Sequence, residues 1–146
     1  MGQDAATTVR PGTRRPGRTE AILDATYELL VEVGYDRLTV EFNNGQPGSI
    51  EIRPQANTKF VTDPKGDTVT LAGQVGLKVV IHSADAHTAY SGSTDMKTGY
   101  AGIKEVRQLG DFEGYVSYGL GLAKPGCYTA VILTNPTRLV IDIQVN

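Results

Sequence analysis

The chain has 146 residues, of which 40% are hydrophobic, and this is enough to bury the core of one domain without a disulfide or a metal. The formal net charge is −2, but the arginines concentrated in residues 1–18 leave an acidic remainder. Phosphate contacts need lysine and arginine clustered on one face, so the body of the chain is not expected to bind nucleic acid.

Two further features limit the class of protein. The single cysteine, Cys127, has no partner within the chain for a disulfide and lies in an apolar run, so it is predicted to be a small core residue. No apolar stretch approaches the roughly 20 residues that span a bilayer. Residues 1–18 lack the apolar segment of a secretory signal, so the chain as written is expected to stay in the cytoplasm where it is made.

The N-terminal residues divide into a tail and a helix. Residues 1–18 are rich in Gly, Pro, Thr and Arg without hydrophobic periodicity, which predicts a disordered basic tail. The apolar side chains of residues 19–33 recur with the spacing of an amphipathic helix, with Thr19 as its N-cap and Gly34 as its stop. The β-branched residues of the later half also suit a strand, so residues 28–33 are open to either structure.

Residues 12–40 carry a first resemblance. The run RRPGRTEAILDA at 14–25, continuing to LTV at 38–40, is similar to the first helix of tetracycline-repressor-type (TetR) regulators. In that family a helix-turn-helix follows, and its second helix enters the major groove of DNA. Here residues 41–48, EFNNGQPG, have the composition of a turn, and no recognition helix follows them. A first helix without a recognition helix is not expected to recognise an operator, so a DNA-binding regulator is the alternative function and not the leading one.

Downstream of this segment, apolar and polar side chains alternate with a period of two, which indicates half-buried β-strands. Glycines at 119 and 121 predict a bend or a bulge in one of them. Turn residues separate the runs, and crossover helices are missing, so the fold class is mainly β: an antiparallel β-sandwich of about seven strands with one N-terminal α-helix. The predicted strands cover residues 37–42, 49–53, 77–82, 103–109, 112–122, 128–134 and 138–144.

Three motifs within residues 34–146 carry a second, longer resemblance. They are GYDRLTVEF at 34–42, GDFEG at 110–114 running into YGLGL at 118–122, and LTNPTRLVID at 133–142. In this order they resemble the AMIN-like domain of actinobacterial proteins. The resemblance implies a β-sandwich, secretion or lipid anchoring, and binding to peptidoglycan or to an envelope protein.

The start of the chain departs from that family, whose members have a further β-strand before the first motif. We expect residues 28–33 to supply a substitute edge strand, or the predicted helix to cover the vacated edge. The departure also keeps a third interpretation open, in which the chain is a chimera that joins two families at a shared motif and has no evolved activity.

Candidate catalytic and metal-binding residues are few. His82, Asp85 and His87 have a spacing that could gather a metal, but nothing in a strand end and a loop directs them to one ion, and a polar loop is the simpler interpretation. Asp111 and Glu113 share a face of one predicted strand without a facing cleft, so a structural role suits them better than acid–base catalysis. No nucleophile or phosphate-loop motif occurs, so no enzyme activity, cofactor or metal is predicted.

Tyrosines and arginines on predicted polar faces best suit a ligand surface. Aromatic rings stack on sugars, and arginine binds carboxylates such as those of peptidoglycan stem peptides. The sequence therefore predicts a non-enzymatic envelope module that binds peptidoglycan or an envelope protein through exposed side chains of Arg37, Tyr115, Tyr118 and Arg138. A structural alternative assigns cross-strand charge pairs to the polar residues Asp36, Arg37, Arg138 and Asp142.

Overall fold

Twelve strands make up the described part of the chain. The computed structural model describes residues 7–8, 26–32, 34–43, 45–86 and 92–145, and for residues 7–8 and 26–32 it describes the backbone alone. No helix occurs in these ranges, so none is long and apolar enough to cross a membrane. The strands are β1 (Thr7–Thr8), β2 (Thr26–Glu32), β3 (Tyr35–Glu41), β4 (Ser49–Gln55), β5 (Lys59–Val61), β6 (Thr68–Thr70), β7 (Val75–His82), β8 (Asp95–Lys97), β9 (Ile103–Phe112), β10 (Tyr115–Leu122), β11 (Tyr128–Leu133) and β12 (Arg138–Gln144).

These strands form two larger sheets and one hairpin. The first sheet has six strands in the order β1-β4-β7-β10-β9-β8, and the second has four in the order β11-β12-β3-β2. β5 and β6 form a separate two-stranded hairpin. Every strand pair is antiparallel. The predicted mainly β, antiparallel fold class is therefore confirmed.

The inner faces of the two larger sheets share one hydrophobic core. Because successive side chains of a strand point to opposite faces, every second residue of the central strands lies in this core. The core residues of β10 and β12 are Val116, Tyr118, Leu120, Leu122, Leu139, Ile141 and Ile143. Six strands thus pack against four in a β-sandwich.

The structure contains more strands than the predicted seven. β1, β5, β6 and β8 have only two or three residues, too few for a visible alternation in the sequence. The predicted single strand at 112–122 is wrong at its start, because β9 continues to Phe112 and the turn Glu113–Gly114 separates it from β10. Both turn residues have positive φ, 53° and 81°, as a tight two-residue hairpin requires. The register shifts after Gly121, where a bulge was predicted, and after Ser117 rather than at Gly119.

The N-terminal predictions are tested only in part. Residues 1–6, 9–25 and 33 lie outside the described residues, and with them most of the predicted tail and the first half of the predicted helix. Within the tail, Thr7–Thr8 pair with β4. Thr26–Glu32 form β2, which pairs with β3 at the edge of the four-stranded sheet. Residues 28–33 were open to helix or strand, and Thr26–Glu32 lie at the sheet edge where a substitute strand was expected.

The polar faces of β3 and β12 are buried, so the prediction that these strands are half-exposed is wrong. Arg37 and Asp142 are only 1% and 2% exposed, and they are partners in the strand register. Arg37 donates from Nε to Asp142 Oδ1 over 2.7 Å and from Nη2 to Oδ2 over 3.0 Å. Two parallel hydrogen bonds between charged groups give this pair a defined geometry. The structural alternative of a cross-strand charge pair is confirmed for these two residues.

Asp36, next to Arg37, joins the two sheets. Its Oδ2 accepts hydrogen bonds from the backbone N–H groups of Gly102 (2.7 Å) and Ile103 (2.9 Å), at the start of β9. A carboxylate buried to 3% exposure is stabilised by such donors. The Asp-Arg part of the first motif therefore supplies one buried contact between the sheets and one within a sheet.

The β5–β6 hairpin packs on the outer face of the six-stranded sheet. Phe60, Leu71 and Leu109 form a second, smaller hydrophobic cluster there. The Phe60 ring lies so close to the sheet that a Cβ at Gly76 would be 2.7 Å from its Cζ, and a Cβ at Gly119 would be 3.1 Å from its Cδ2. Glycines in β7 and β10 therefore allow the hairpin to cover one end of this face.

Candidate ligand groove

The uncovered end of the same face contains an open groove of about 530 Å³, a volume typical of ligand sites. Its floor consists of Val80, Ser117 and Gly110 on three neighbouring strands. Ser117 is the register partner of Val80 on one side and of Gly110 on the other. Glycine and serine in this row leave room for the groove above the sheet.

One wall of the groove is the segment Asp63–Pro64, which follows β5. The backbone N–H of Asp63 donates to the carbonyl oxygen of Leu109 over 3.0 Å, which anchors the segment on β9. A Cβ at Gly110 would lie 2.9 Å from the Cβ of Asp63, so this close approach needs a glycine. The hairpin thus both covers one end of the sheet and supplies a side of the groove.

Tyr115 and Phe112 line the open end of the groove, and His82 stands beside Tyr115 outside this lining. We call these three rings the aromatic row. Tyr115 is the register partner of His82 on β7 and of Phe112 on β9. The His82 and Tyr115 rings meet edge to face, with centroids 4.5 Å apart and planes at 67°. Tyr115 is 55% exposed and Phe112 49%, although both are large and apolar. Since strands lie about 4.8 Å apart, the row spans roughly 10 Å.

Lys78 lies at the opposite, covered end of the groove. It is half-buried on the outer face of β7, and its register partner on β10 is Gly119, beneath the Phe60 ring. Four residues of strand separate it from the aromatic row, about 13 Å at 3.3 Å per residue. The carboxylates that line the groove, Asp63 and Glu113, are exposed at its rim.

The four predicted ligand residues are not brought together. Tyr115 alone is exposed and lines the groove. Tyr118 is 5% exposed in the core between the sheets, and Arg37 is held by Asp142. Arg138 is 1% exposed, and its Nη1 donates to the carbonyl oxygens of Pro136 (2.7 Å) and Thr134 (3.3 Å) in the turn before β12. The expected exposure is therefore wrong for three of the four residues: the two arginines bond to the protein's own groups, and Tyr118 packs in the core.

Phe112 and Lys78 are not among the ligand residues predicted from the sequence. The pattern predicts that Phe112 starts a strand, but it ends β9, where a side chain beside a tight turn is exposed. Lys78 stands within a run otherwise apolar on both faces, which predicted a central strand without a functional residue. The signal that could have identified Lys78 is a single charged residue inside an apolar run, two residues after Gly76.

The remaining candidates do not form a catalytic or metal centre in the described ranges. His87 lies outside them, and the described residues contain no group of three His, Cys, Asp or Glu side chains that could hold a metal ion. Asp111 Oδ2 accepts a hydrogen bond from the backbone N–H of Ala86 over 3.1 Å. Glu113 lies in the turn after β9, so the two carboxylates do not share a strand face as predicted.

A carboxyl pair flanks the hairpin on the same outer face. Glu105 is 2% exposed, and its Oε1 accepts a hydrogen bond from the backbone N–H of Ala72 over 2.8 Å. Burial raises the pKa of Glu105 above its ordinary value of 4.5, and a hydrogen bond with Asp95 raises it further. The same hydrogen bond lowers the pKa of Asp95, with help from Lys97 at 3.3 Å. Of the two carboxyl groups, Glu105 is therefore the one that gains its proton at the higher pH.

The variant Glu105→Gln is expected to become more stable relative to wild type as pH rises above about 4.5. Because the folded-state pKa of Glu105 is raised, its contribution to stability is complete below the unfolded pKa and is lost as pH rises through the folded pKa. Glutamine keeps an acceptor for Ala72 and a donor for Asp95 without this loss. Urea unfolding from about pH 4 to about pH 8 measures the difference, with Glu113→Gln as control. A difference independent of pH would contradict the assignment.

The fold is an antiparallel β-sandwich with an open groove on one outer sheet face. The model of the AMIN-like domain family matches residues 31–145, and the chain belongs to this family. Comparisons with curated proteins and with solved structures give no significant match. The resemblance of residues 12–40 to tetracycline-repressor-type regulators finds no support in these comparisons.

Proposed function

We propose that the chain is a non-enzymatic binding module of the cell envelope and that its groove binds peptidoglycan. Membership of the AMIN-like family supports the general class, since it fits a module that binds envelope components. The resemblance of three motifs in the sequence led to the same expectation.

The aromatic row is the observation that carries the proposal. Tyr115 and Phe112 are about half exposed. Burying large apolar side chains is favourable, so a ligand that covers these rings would gain binding energy. Their flat faces stand beside a floor of small residues, and this suits the apolar faces of sugar rings. A row of roughly 10 Å across three strands offers room for consecutive sugars of a glycan strand.

The test is a pull-down of the purified chain on cell-wall sacculi. We expect wild type to bind and Phe112→Ala/Tyr115→Ala to lose roughly 10- to 100-fold in affinity, equivalent to about 1.4–2.8 kcal/mol. The matched control is Tyr35→Ala, because Tyr35 is 40% exposed but lies on β3 of the other sheet. Equal loss in the control would contradict a role of the groove.

A DNA shift assay beside the pull-down addresses the alternative function. Binding to duplex DNA that weakens steeply with salt, without binding to sacculi, would favour a DNA-binding regulator. Binding to neither would favour an envelope protein as the partner or a chain without evolved activity. The acidic body of the chain argues against the DNA outcome, because phosphate contacts need clustered lysine and arginine.

A further inference from the structure

Lys78 is a half-buried cation inside the groove and has no ion-pair or hydrogen-bond partner for its ammonium group in the ranges that the structure describes. Other lysines on this sheet do find carboxylates, as Lys97 does with Asp95 at 3.3 Å and with Glu105 at 3.5 Å. A charge withdrawn partly from water without a counter-ion is unfavourable. An anion bound in the groove would remove this cost.

The neighbour of Lys78 on β4 is a second positively charged residue. Arg53 is its register partner, and both side chains point outward because Ile52 and Val79 beside them lie in the core. Like charges directly opposite each other on a sheet are destabilising. Glu51 lies 3.4 Å from Arg53 and 3.8 Å from the His82 ring, and no ion pair joins it to Lys78. The covered end of the groove therefore carries an excess of positive charge.

Positive charge and exposed rings stand at opposite ends of the same groove. The two groove carboxylates lie elsewhere: Glu113 is in the turn beyond the aromatic row, and Asp63 is against β9, two strands away from Lys78. A ligand lying along the groove would thus place a sugar on Tyr115 and Phe112 and an acidic group about 13 Å away, at Lys78. Peptidoglycan offers this combination, since its glycan strands carry peptides with free carboxylates.

We propose that Lys78 binds a carboxylate of the peptidoglycan stem peptide, so that the groove selects acidic peptidoglycan over neutral glycan. This inference rests on the proposed function, because it assigns a second contact of the same ligand. Lysine presents a compact charge with three donors, which suits a carboxylate that reaches the groove on a flexible peptide.

The experiment compares the full chain on native sacculi and on sacculi whose carboxylates have been converted to neutral amides. Wild type is expected to bind the amidated sacculi at least about tenfold more weakly, as loss of one hydrogen bond between charged groups implies. Lys78→Gln is expected to show the same loss on native sacculi and to be insensitive to amidation. Lys78→Arg keeps the charge and is expected to retain the preference for native sacculi.

Lys124→Gln is the matched control, because Lys124 is exposed in the loop after β10 and the variant changes the net charge equally. Equal binding of wild type to native and amidated sacculi, with Lys78→Gln unaffected, would overturn the role of Lys78 and leave the proposed function standing. Loss of binding after removal of wall phosphate polymers, with no effect of amidation, would overturn it in favour of a phosphate ligand. Absence of wild-type binding to native sacculi would overturn both proposals.

Discussion

The variant Asp142→Ala is expected to lower the free energy of unfolding by about 3–5 kcal/mol, the largest effect that we predict for this chain. The reason lies in the burial of its partner. Arg37 is 1% exposed and donates two hydrogen bonds to the Asp142 carboxylate. Alanine removes the carboxylate that accepts two hydrogen bonds from a buried guanidinium, and the loss far exceeds that of one hydrogen bond.

Urea unfolding followed by circular dichroism measures this effect. The control is Glu51→Ala, which breaks the exposed Arg53–Glu51 pair at 3.4 Å and should cost less than about 1 kcal/mol. The double variant Arg37→Met/Asp142→Leu replaces both charges by apolar groups and is expected to cost less than Asp142→Ala alone. Equal stability of Asp142→Ala and Glu51→Ala would show that the buried pair contributes nothing beyond an exposed one.

The second large effect is expected from Gly121→Ala, with a loss of about 3 kcal/mol in the free energy of unfolding. A Cβ at this position would collide with the backbone carbonyl oxygen of Ala72, in the segment that leads from β6 to β7. A backbone carbonyl group cannot rotate away from the new Cβ as the end of a flexible side chain can. The hairpin must therefore move off the sheet, which also disturbs the cluster around Phe60 and Leu71.

Gly126→Ala is the control for this prediction. The nearest atom to a Cβ there is the carbonyl oxygen of Gln144 at 3.5 Å, an ordinary contact. It is expected to change stability by less than about 0.5 kcal/mol. If both variants unfold at the same urea concentration, the hairpin does not sit tightly on β10.

The local pattern predicted the strands well where one strand face is apolar. The alternation at 37–42, 49–53 and 138–144 marks β3, β4 and β12 because the period of two follows from strand geometry alone. The turn residues at 135–137 also separate β11 from β12 as predicted. The boundary between β9 and β10 was missed, since Glu113–Gly114 interrupts an alternation that looks continuous in print.

The candidate site was predicted only at Tyr115. Alternation tells which side chains share a face, but not whether solvent or protein covers that face. Arg37 and Arg138 lie on a polar face that is nevertheless buried, and Tyr118 lies on the face that meets the other sheet. Phe112 and Lys78 become groove residues only when the register brings β9, β10 and β7 side by side.

Sequence by itself determined the mainly β class and the antiparallel pairing of strands joined by short turns, because both depend on residues close together in the chain. It also determined the family, because the family depends on motifs in a fixed order. Tertiary structure alone decided which charges are buried, where the hairpin covers the sheet and which rings remain exposed. These features depend on the register between distant strands and on glycines that leave space for the β5–β6 hairpin. Gly76 and Gly119, for example, leave space for the Phe60 ring. Burial is a property of what packs on a residue, and its neighbours in the chain do not specify that.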